Sequence, residues 1–390
     1  MDKILPKHTI GLVFAFIPKN KNIMNMKSSI KLFSLILFSL FLFQSCGNAD
    51  DDVNFPLNQG ELGQGEEPDD CLNFGENELL LSIQDQFTSL PSKVSILFKV
   101  SDKQGNPLSG LTANQFTIYE QGRNDDCFRT ISSSESLARI SPNSQVFSNN
   151  TLLVLDLSNS VLQGSLDELK AASTSFVNNV MPEIETESFK MAIYWFDGED
   201  VLHQLNDFTS STIELTDAIA GITSDISNDP STDLYGAVIK SANIAEDLID
   251  EANSLQGAPI VAASIVIFTD GTDQASRFSE ESALNAVNDA NTNISFFTIG
   301  LGAEIDQDVL EDIGKTSSVV ASNAAELETT FNQISARVSE QANSFYLFEY
   351  CTPKRDGSGE NNLVIQLTDG ALQGAVQTQF DAEGFTGGCD

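Results

Sequence analysis

Asp156-Leu157-Ser158-Asn159-Ser160 sets one carboxylate and two hydroxyls at alternate positions. The run follows Leu152-Leu153-Val154-Leu155, an apolar stretch that reads as a buried parallel strand. Oxygen side chains spaced by two leave a strand end pointing the same way and can supply part of a hard-cation site. Two later segments add to it. Phe268-Thr269-Asp270-Gly271 ends another apolar strand, which brings Asp270 to the same carboxyl edge as Asp156. Pro230-Ser231-Thr232-Asp233-Leu234 precedes a helical pattern and offers the Thr232 hydroxyl from a loop on that edge. Asp156, Ser158, Ser160, Thr232 and Asp270 together give two carboxylates and three hydroxyls, all hard oxygens, which suits Mg²⁺ or Mn²⁺ rather than a soft metal. Neutral hydroxyls leave the cation short of negative charge, so a carboxylate from another protein can complete its shell. Each residue also has an ordinary structural use: Asp156 and Thr232 as helix caps, Ser158 and Ser160 in a turn, Asp270-Gly271 as a turn. Asp233 and Asp273 lie close by in sequence and are expected to tune local charge or to hydrogen-bond the ligands rather than touch the metal.

Other chemistries have little to work with. The 390 residues contain two histidines, His8 near the start and His203. A Ser-His-Asp triad, a Cys-His pair or a His-rich zinc site would have to be built around His203 alone. His203 falls in Val201-Leu202-His203-Gln204-Leu205, read as an edge strand, where the lack of visible partners makes it structural. Against 20 basic residues stand 56 acidic ones, and six lysines but only one acidic residue fall in the first 45, so the remainder is more acidic still. Such a surface repels phosphate backbones and excludes nucleic acid as a natural partner.

The elements that must position these oxygens alternate between strand and helix from residue 150 to about 342. Strands are expected at Thr151–Leu157, Met191–Phe196, Ala262–Thr269 and Ile294–Leu301. Helices are expected at Leu166–Val180, Thr232–Asp250, Glu280–Ala290, Gln307–Ile313 and Ala324–Ser344, the second capped near Ser231 or Thr232. The alternation argues for an α/β fold, a doubly wound, mainly parallel sheet wrapped by helices, with ligands at the carboxyl ends of the strands. Residues 71–149 instead read as β structure, with strands at Leu79–Ile83, Val94–Val100 and Phe116–Glu120. Residues 344–390 return to β at Phe345–Tyr350, Leu363–Leu367 and Ala375–Phe380. Three such strands are marginal alone, so they are expected to complete the N-terminal β domain, with residues 150–343 inserted in or flanked by a small β-sandwich.

Strand-D-x-S-x-S, a downstream T-x-L before a helix, then strand-T-D-G resembles the von Willebrand factor A domain with its metal-ion-dependent adhesion site. The resemblance covers about 195 residues and matches at all five site positions in order. It implies Mg²⁺ held by Asp156, Ser158, Ser160, Thr232 and Asp270, binding of a protein partner, and no catalysis. Related domains shift a C-terminal helix between affinity states, and Ala324–Ser344 would be that helix. Val100–Gly122 resembles the Ig-like β segment that precedes some bacterial members of the family.

Met26-Lys27-Ser28-Ser29-Ile30-Lys31, the apolar run Leu32–Phe43 and Gln44-Ser45-Cys46-Gly47 have the layout of a secretory signal, in a run too short to span a bilayer. A Cys directly after the small residue resembles the lipobox of bacterial lipoproteins, in the looser form used by Bacteroidetes-type bacteria, with Phe43 and Gln44 in place of the usual residues. This implies lipidation of Cys46 after removal of residues 1–45, with Met24 or Met26 as a better start. The alternative is a plain secretory signal. Gly47-Asn48-Ala49-Asp50-Asp51-Asp52 resembles a surface-export signal of the same lipoproteins, or is a solvated linker. Residues 46–70 read as an acidic, flexible tether. Cys71, Cys127, Cys351 and Cys389 remain, an even number suited to two disulfides in an exported chain. Three pairings are possible, and the local pairs Cys71–Cys127 and Cys351–Cys389 are favoured.

The expected protein is therefore an outer-membrane, surface-exposed lipoprotein that grips an Asp or Glu of a protein partner through Mg²⁺. Two alternatives stand beside it: an envelope-assembly component stabilised by the metal, and a hydrolase, for which the sequence offers no triad and no Walker loop.

Overall fold

Leu152, Leu153, Val154 and Leu155 occupy the centre of a six-stranded sheet and are fully buried. The computed structural model describes residues 65–386 apart from 123, 132–137, 143–146, 255–259 and 355–358. The leader, Cys46, the acidic run behind it and Cys389 lie outside the described residues.

Five strands come first: β1 (Leu79–Ser89), β2 (Lys93–Asp102), β3 (Phe116–Gln121), β4 (Arg129–Ile131) and β5 (Arg139–Pro142). The central region follows with β6 (Phe147–Asp156), α1 (Asn159–Gly164), α2 (Leu166–Val180), β7 (Phe189–Phe196), β8 (His203–Thr209), α3 (Thr212–Ala220) and α4 (Leu234–Ser254). It continues with β9 (Ile260–Thr269), α5 (Glu280–Asn288), β10 (Ile294–Leu301), α6 (Gln307–Ile313), β11 (Ser317–Ala321) and α7 (Leu327–Ala342). The chain closes with β12 (Phe345–Cys351), β13 (Glu360–Asp369) and β14 (Leu372–Asp381).

The central sheet runs β11-β10-β9-β6-β7-β8 and is parallel except at β7–β8. Successive side chains of a strand face opposite sides, and the core divides accordingly. Leu153, Leu155, Ile193, Trp195, Val266 and Phe268 pack under α2, α3 and α7. Leu152, Val154, Ala192, Tyr194, Ile265 and Ile267 pack under α4, α5 and α6. Burial on both faces explains why these strands read as continuous apolar runs.

The last three strands join the first five. β12 lies between β2 and β5 in one antiparallel sheet, and β13 pairs with β3 and β14 in another. Phe98, Phe116, Phe348, Leu363 and Ile365 fill the space between the two sheets, so the β domain is a sandwich. The α/β region leaves and re-enters it at one place. Phe147, the first residue of β6, packs against Phe345, the first residue of β12, with ring centroids 5.0 Å apart and planes tilted by 46°, and Leu97 and Ala262 pack around them.

Several elements differ from the sequence reading. Helix α4 begins at Leu234, because the Asp233 carbonyl accepts the first helical bond from Ala237 while Asp233 N–H donates to the Asp197 carbonyl at 2.8 Å. Asp233, not Ser231 or Thr232, is thus the capping residue. Strands β4, β5 and β11 and helices α1 and α3 were not anticipated. Glu66, within the segment read as a tether, exchanges two backbone hydrogen bonds with Gln377 of β14, each 2.9 Å. Cys71 and Cys127 form one of the favoured disulfides, and Cys351 is disulfide-bonded as well. Among the described residues no helix is long and apolar enough to cross a membrane.

Candidate metal centre

Asp156 is the last residue of β6 and Thr269 the last of β9, its parallel neighbour. On the other side Asp156 stands opposite Phe196, the last residue of β7. The chain winds from β6 toward β7 on one side and later returns to β9 on the other. The crevice at the carboxyl ends of β6 and β9 is therefore the switch point of the sheet, where ligands of such folds bind.

Four of the five candidate residues join in one hydrogen-bonded series. Ser158 N–H donates to Asp156 Oδ1 at 2.9 Å. The Ser158 and Ser160 hydroxyl oxygens lie 3.2 Å apart, and Ser160 Oγ donates to Asp270 Oδ1 at 2.8 Å. Thr232, the fifth, flanks the same turn: its Oγ1 lies 3.9 Å from where a Cβ on Gly271 would stand. The Thr232 carbonyl accepts from Gln274 and Ala275 N–H at 2.9 and 3.0 Å, which ties its loop to the segment after Asp270. The loop is also tied to the first motif, since Asn159 N–H donates to the Pro230 carbonyl at 3.2 Å.

Burial is graded across the site. Asp156, Ser158 and Thr232 are buried, Asp270 is half-buried and Ser160 is exposed. Ser160 and Asp270 line a cavity of about 300 Å³ together with Gly302, Glu304 and Asn323. The donor set thus has a closed inner side and an open outer one.

Electrostatics favour a cation here. Burial, with the nearby Asp270 charge adding to it, pushes the Asp156 carboxyl up to about 7 despite bonds from Thr269 and Ser158 that favour its ionised form. Burial also raises Asp270, and Glu304 adds to the effect. The basic residues of this edge are engaged elsewhere. Lys240 pairs with Asp200 and Asp233 at 2.7 and 3.1 Å, and Arg277 donates to the Gly198 carbonyl. Two carboxyls held above their ordinary range, beside three hydroxyl oxygens, fit a hard divalent ion, which would supply the missing positive charge.

Asp233 and Asp273 do not bond to the candidate ligands. Asp233 Oδ2 pairs with Lys240, and Asp273 accepts from Tyr235 N–H at 3.1 Å and Ser276 N–H at 2.9 Å, holding the start of α4.

Two contributors escaped the sequence reading. Thr269 Oγ1 donates to Asp156 Oδ2 at 2.7 Å and accepts from Gly271 N–H at 3.2 Å, so it positions the buried carboxylate and the turn together. Its place directly before Asp270 at a strand end was the available signal. Asp197, one residue past β7, accepts at Oδ2 from Ser227 Oγ, Asn228 N–H and Asp229 N–H at 2.8, 3.2 and 3.3 Å. It thereby fixes the loop that carries Thr232. His203 also departs from expectation. It opens the edge strand β8, but it has acidic neighbours: Nε2 lies 3.4 Å from Glu199 Oε2 and 4.0 Å from Asp197 Oδ1.

Residues 150–337 match the family model of the von Willebrand factor type A domain. The chain is similar in structure to conserved hypothetical protein BatB from Bacteroides thetaiotaomicron, with 18% identity and a TM-score of 0.39 over 50% of this chain and 100% of that one. It is similar to a von Willebrand factor type A protein from Catenulispora acidiphila, with 10% identity and a TM-score of 0.40 over 77% and 76% of the two chains. A third similar structure is proximal thread matrix protein 1 from the mussel byssus with a zinc-occupied MIDAS motif, at 12% identity and a TM-score of 0.40 over 51% and 50%. No curated protein matches the sequence. The switch-point site and the family match together assign the central region: the chain carries a von Willebrand factor type A domain at residues 150–337.

Proposed function

We propose that this domain binds a divalent cation, Mg²⁺ by preference, through Asp156, Ser158, Ser160, Thr232 and Asp270, and uses it to hold an acidic side chain of a protein partner. The observation that carries the reading is the pairing of a fully buried Asp156 with an accessible Ser160–Asp270 edge. The inner carboxylate anchors the ion, and the open side leaves room for a further oxygen ligand. Neutral hydroxyls keep the ion electrophilic toward a carboxylate from outside, and a partly dry crevice strengthens that contact. The role is binding rather than catalysis.

We further propose that the chain is exported and anchored as a lipoprotein through Cys46, on the outer surface of an outer membrane, in adhesion or assembly of a surface complex. The support is sequence order: basic segment, apolar run, small residue, Cys, acidic run. Capture of partners on the immobilised chain, with Mg²⁺ and with EDTA, tests the function. Partners recovered only with Mg²⁺, and lost with Asp156→Ala, support it; the same partners recovered under every condition contradict it. Thermal stabilisation by Mg²⁺ with no partner recovered favours the alternative of an envelope-assembly component in which the ion is a stabiliser. Protease shaving of intact cells tests display at the surface.

A further inference from the structure

The turn between β7 and β8 carries a second constellation, separate from the five oxygens. Asp197 and Glu199 leave the end of β7 at alternate positions, and His203 enters β8 opposite Trp195. One ligand atom from each of the three lies within 4.8 Å of the other two. His203 Nε2 is buried and has no hydrogen-bond partner, although it faces the two carboxylates at 3.4 and 4.0 Å. A buried ring nitrogen left in that state is costly. The spacing fits a shared ion better than a direct bond. Two ligands each about 2.0–2.1 Å from one metal stand roughly 3.4 Å apart at a tetrahedral angle.

The imidazole is held for this purpose. Its ring stacks on Trp195 with centroids 3.9 Å apart and planes 10° from parallel. The Asp197 carboxylate is fixed by Glu199 N–H on Oδ1 at 2.8 Å and by three donors of the 227–229 segment on Oδ2. Glu199 Oε2 already stands at the ligand spacing of 3.4 Å from Nε2, Asp197 Oδ1 is farther at 4.0 Å, and Glu199 is partly exposed, with 38% of its side chain accessible. That exposure also leaves a side open to solvent.

We infer that Asp197, Glu199 and His203 form a second metal site, for a zinc-class transition ion rather than Mg²⁺. One imidazole and two carboxylates with an open position make a three-ligand set of the kind Zn²⁺ accepts, and imidazole disfavours the hard ions that suit Asp156 and Asp270. The site would also brace the first. The Asp197 carboxylate holds the 227–229 segment, and its carbonyl accepts from Asp233, next to Thr232. Gly198 seats the turn on this loop, since a Cβ there would stand 1.9 Å from Ser231 Oγ.

The chain has a single tryptophan, and it is the residue stacked on His203, so the site reports on itself. Co²⁺, an open-shell ion, should quench Trp195 emission saturably, and Zn²⁺ should compete and restore it. The full chain carrying Asp156→Ala and Asp270→Ala should behave the same way, which separates this inference from the proposed function. Millimolar Mg²⁺ should neither quench nor displace Co²⁺. His203→Phe, which keeps the aromatic stack, and Glu199→Gln should each weaken Co²⁺ at least about tenfold. A quench that is unchanged in His203→Phe, no saturable quench at all, or a quench lost in the Asp156→Ala/Asp270→Ala chain would overturn the inference.

Discussion

Thr269 Oγ1 donates to Asp156 Oδ2 at 2.7 Å, and both groups are fully buried. The hydroxyl belongs to β9 and the carboxylate to β6, so one bond sets the spacing of the two strand ends that flank the candidate metal centre. Thr269→Val keeps the shape and removes the donor. It leaves a buried carboxylate oxygen short of a partner and the Gly271 amide without its acceptor. A loss of about 1–3 kcal/mol in stability is expected. Mg²⁺ affinity should fall as well, measured by denaturation and by cation titration on one sample.

Cation affinity should depend on pH in a range where ordinary aspartates are silent. Burial holds the Asp156 carboxyl up to about 7, and a metal must displace that proton. Affinity for Mn²⁺ is expected to be flat above pH 8 and to fall by about tenfold per pH unit well below 7 if one proton is released. Titrations from pH 5.5 to 8.5 check this, and a flat profile over the range would count against the assignment.

Stability of the cation-free chain should carry the opposite signature. Asp156 holds its proton to about 7 when folded, whereas an ordinary aspartate loses it near 3.8. Between those values the folded state binds more protons, so this contribution is complete below about 4 and is lost as pH rises through 7. Asp156→Asn removes the titrating group. In EDTA the wild type should therefore lose more stability than Asp156→Asn between pH 4.5 and 7.5, and saturating Mg²⁺ should offset the loss at the upper end.

The sandwich and the α/β domain share one aromatic junction, Phe147 on Phe345. Both rings are fully buried, and they join the strand that enters the domain to the strand that leaves it. Phe345→Ala is expected to cost about 3–5 kcal/mol. It should also separate one unfolding transition into two, with Mg²⁺ shifting only the one that belongs to the α/β domain. Calorimetric scans with and without Mg²⁺ read both effects.

Much of this was legible because the central strands are buried on both faces. Leu152–Leu155 and Ile265–Phe268 are continuous apolar runs, and oxygen side chains at their ends stand out by contrast. The spacing of Asp156, Ser158 and Ser160 was visible for the same reason. Strand β11 was not, since Ser317-Ser318-Val319-Val320-Ala321 lies at a sheet edge and lacks a core pattern. Helix α3 was overlooked although it is as long as α5, Leu215 and Ile219 share a helical face, and Ser211 caps it through Glu214 N–H. The start of α4 was misplaced because a long-range bond from Asp233 to the Asp197 carbonyl overrides local capping. His203 looked isolated because its neighbours come from across a hairpin. Asp197, Glu199 and His203 carry a D-x-E-x3-H spacing after a strand, which becomes informative only once β7 and β8 are known to pair.

The most direct measurement is a calorimetric titration of Mg²⁺ into the full chain at pH 8, for the wild type and for Asp270→Ala. Asp270 is half-buried at the rim, so its truncation should leave the strand core intact. One saturable Mg²⁺ site in the wild type, weakened more than about tenfold by Asp270→Ala, is the predicted result, equivalent to a loss of at least about 1.4 kcal/mol of binding free energy. No saturable Mg²⁺ binding, or binding that Asp270→Ala leaves unchanged, would contradict the metal centre.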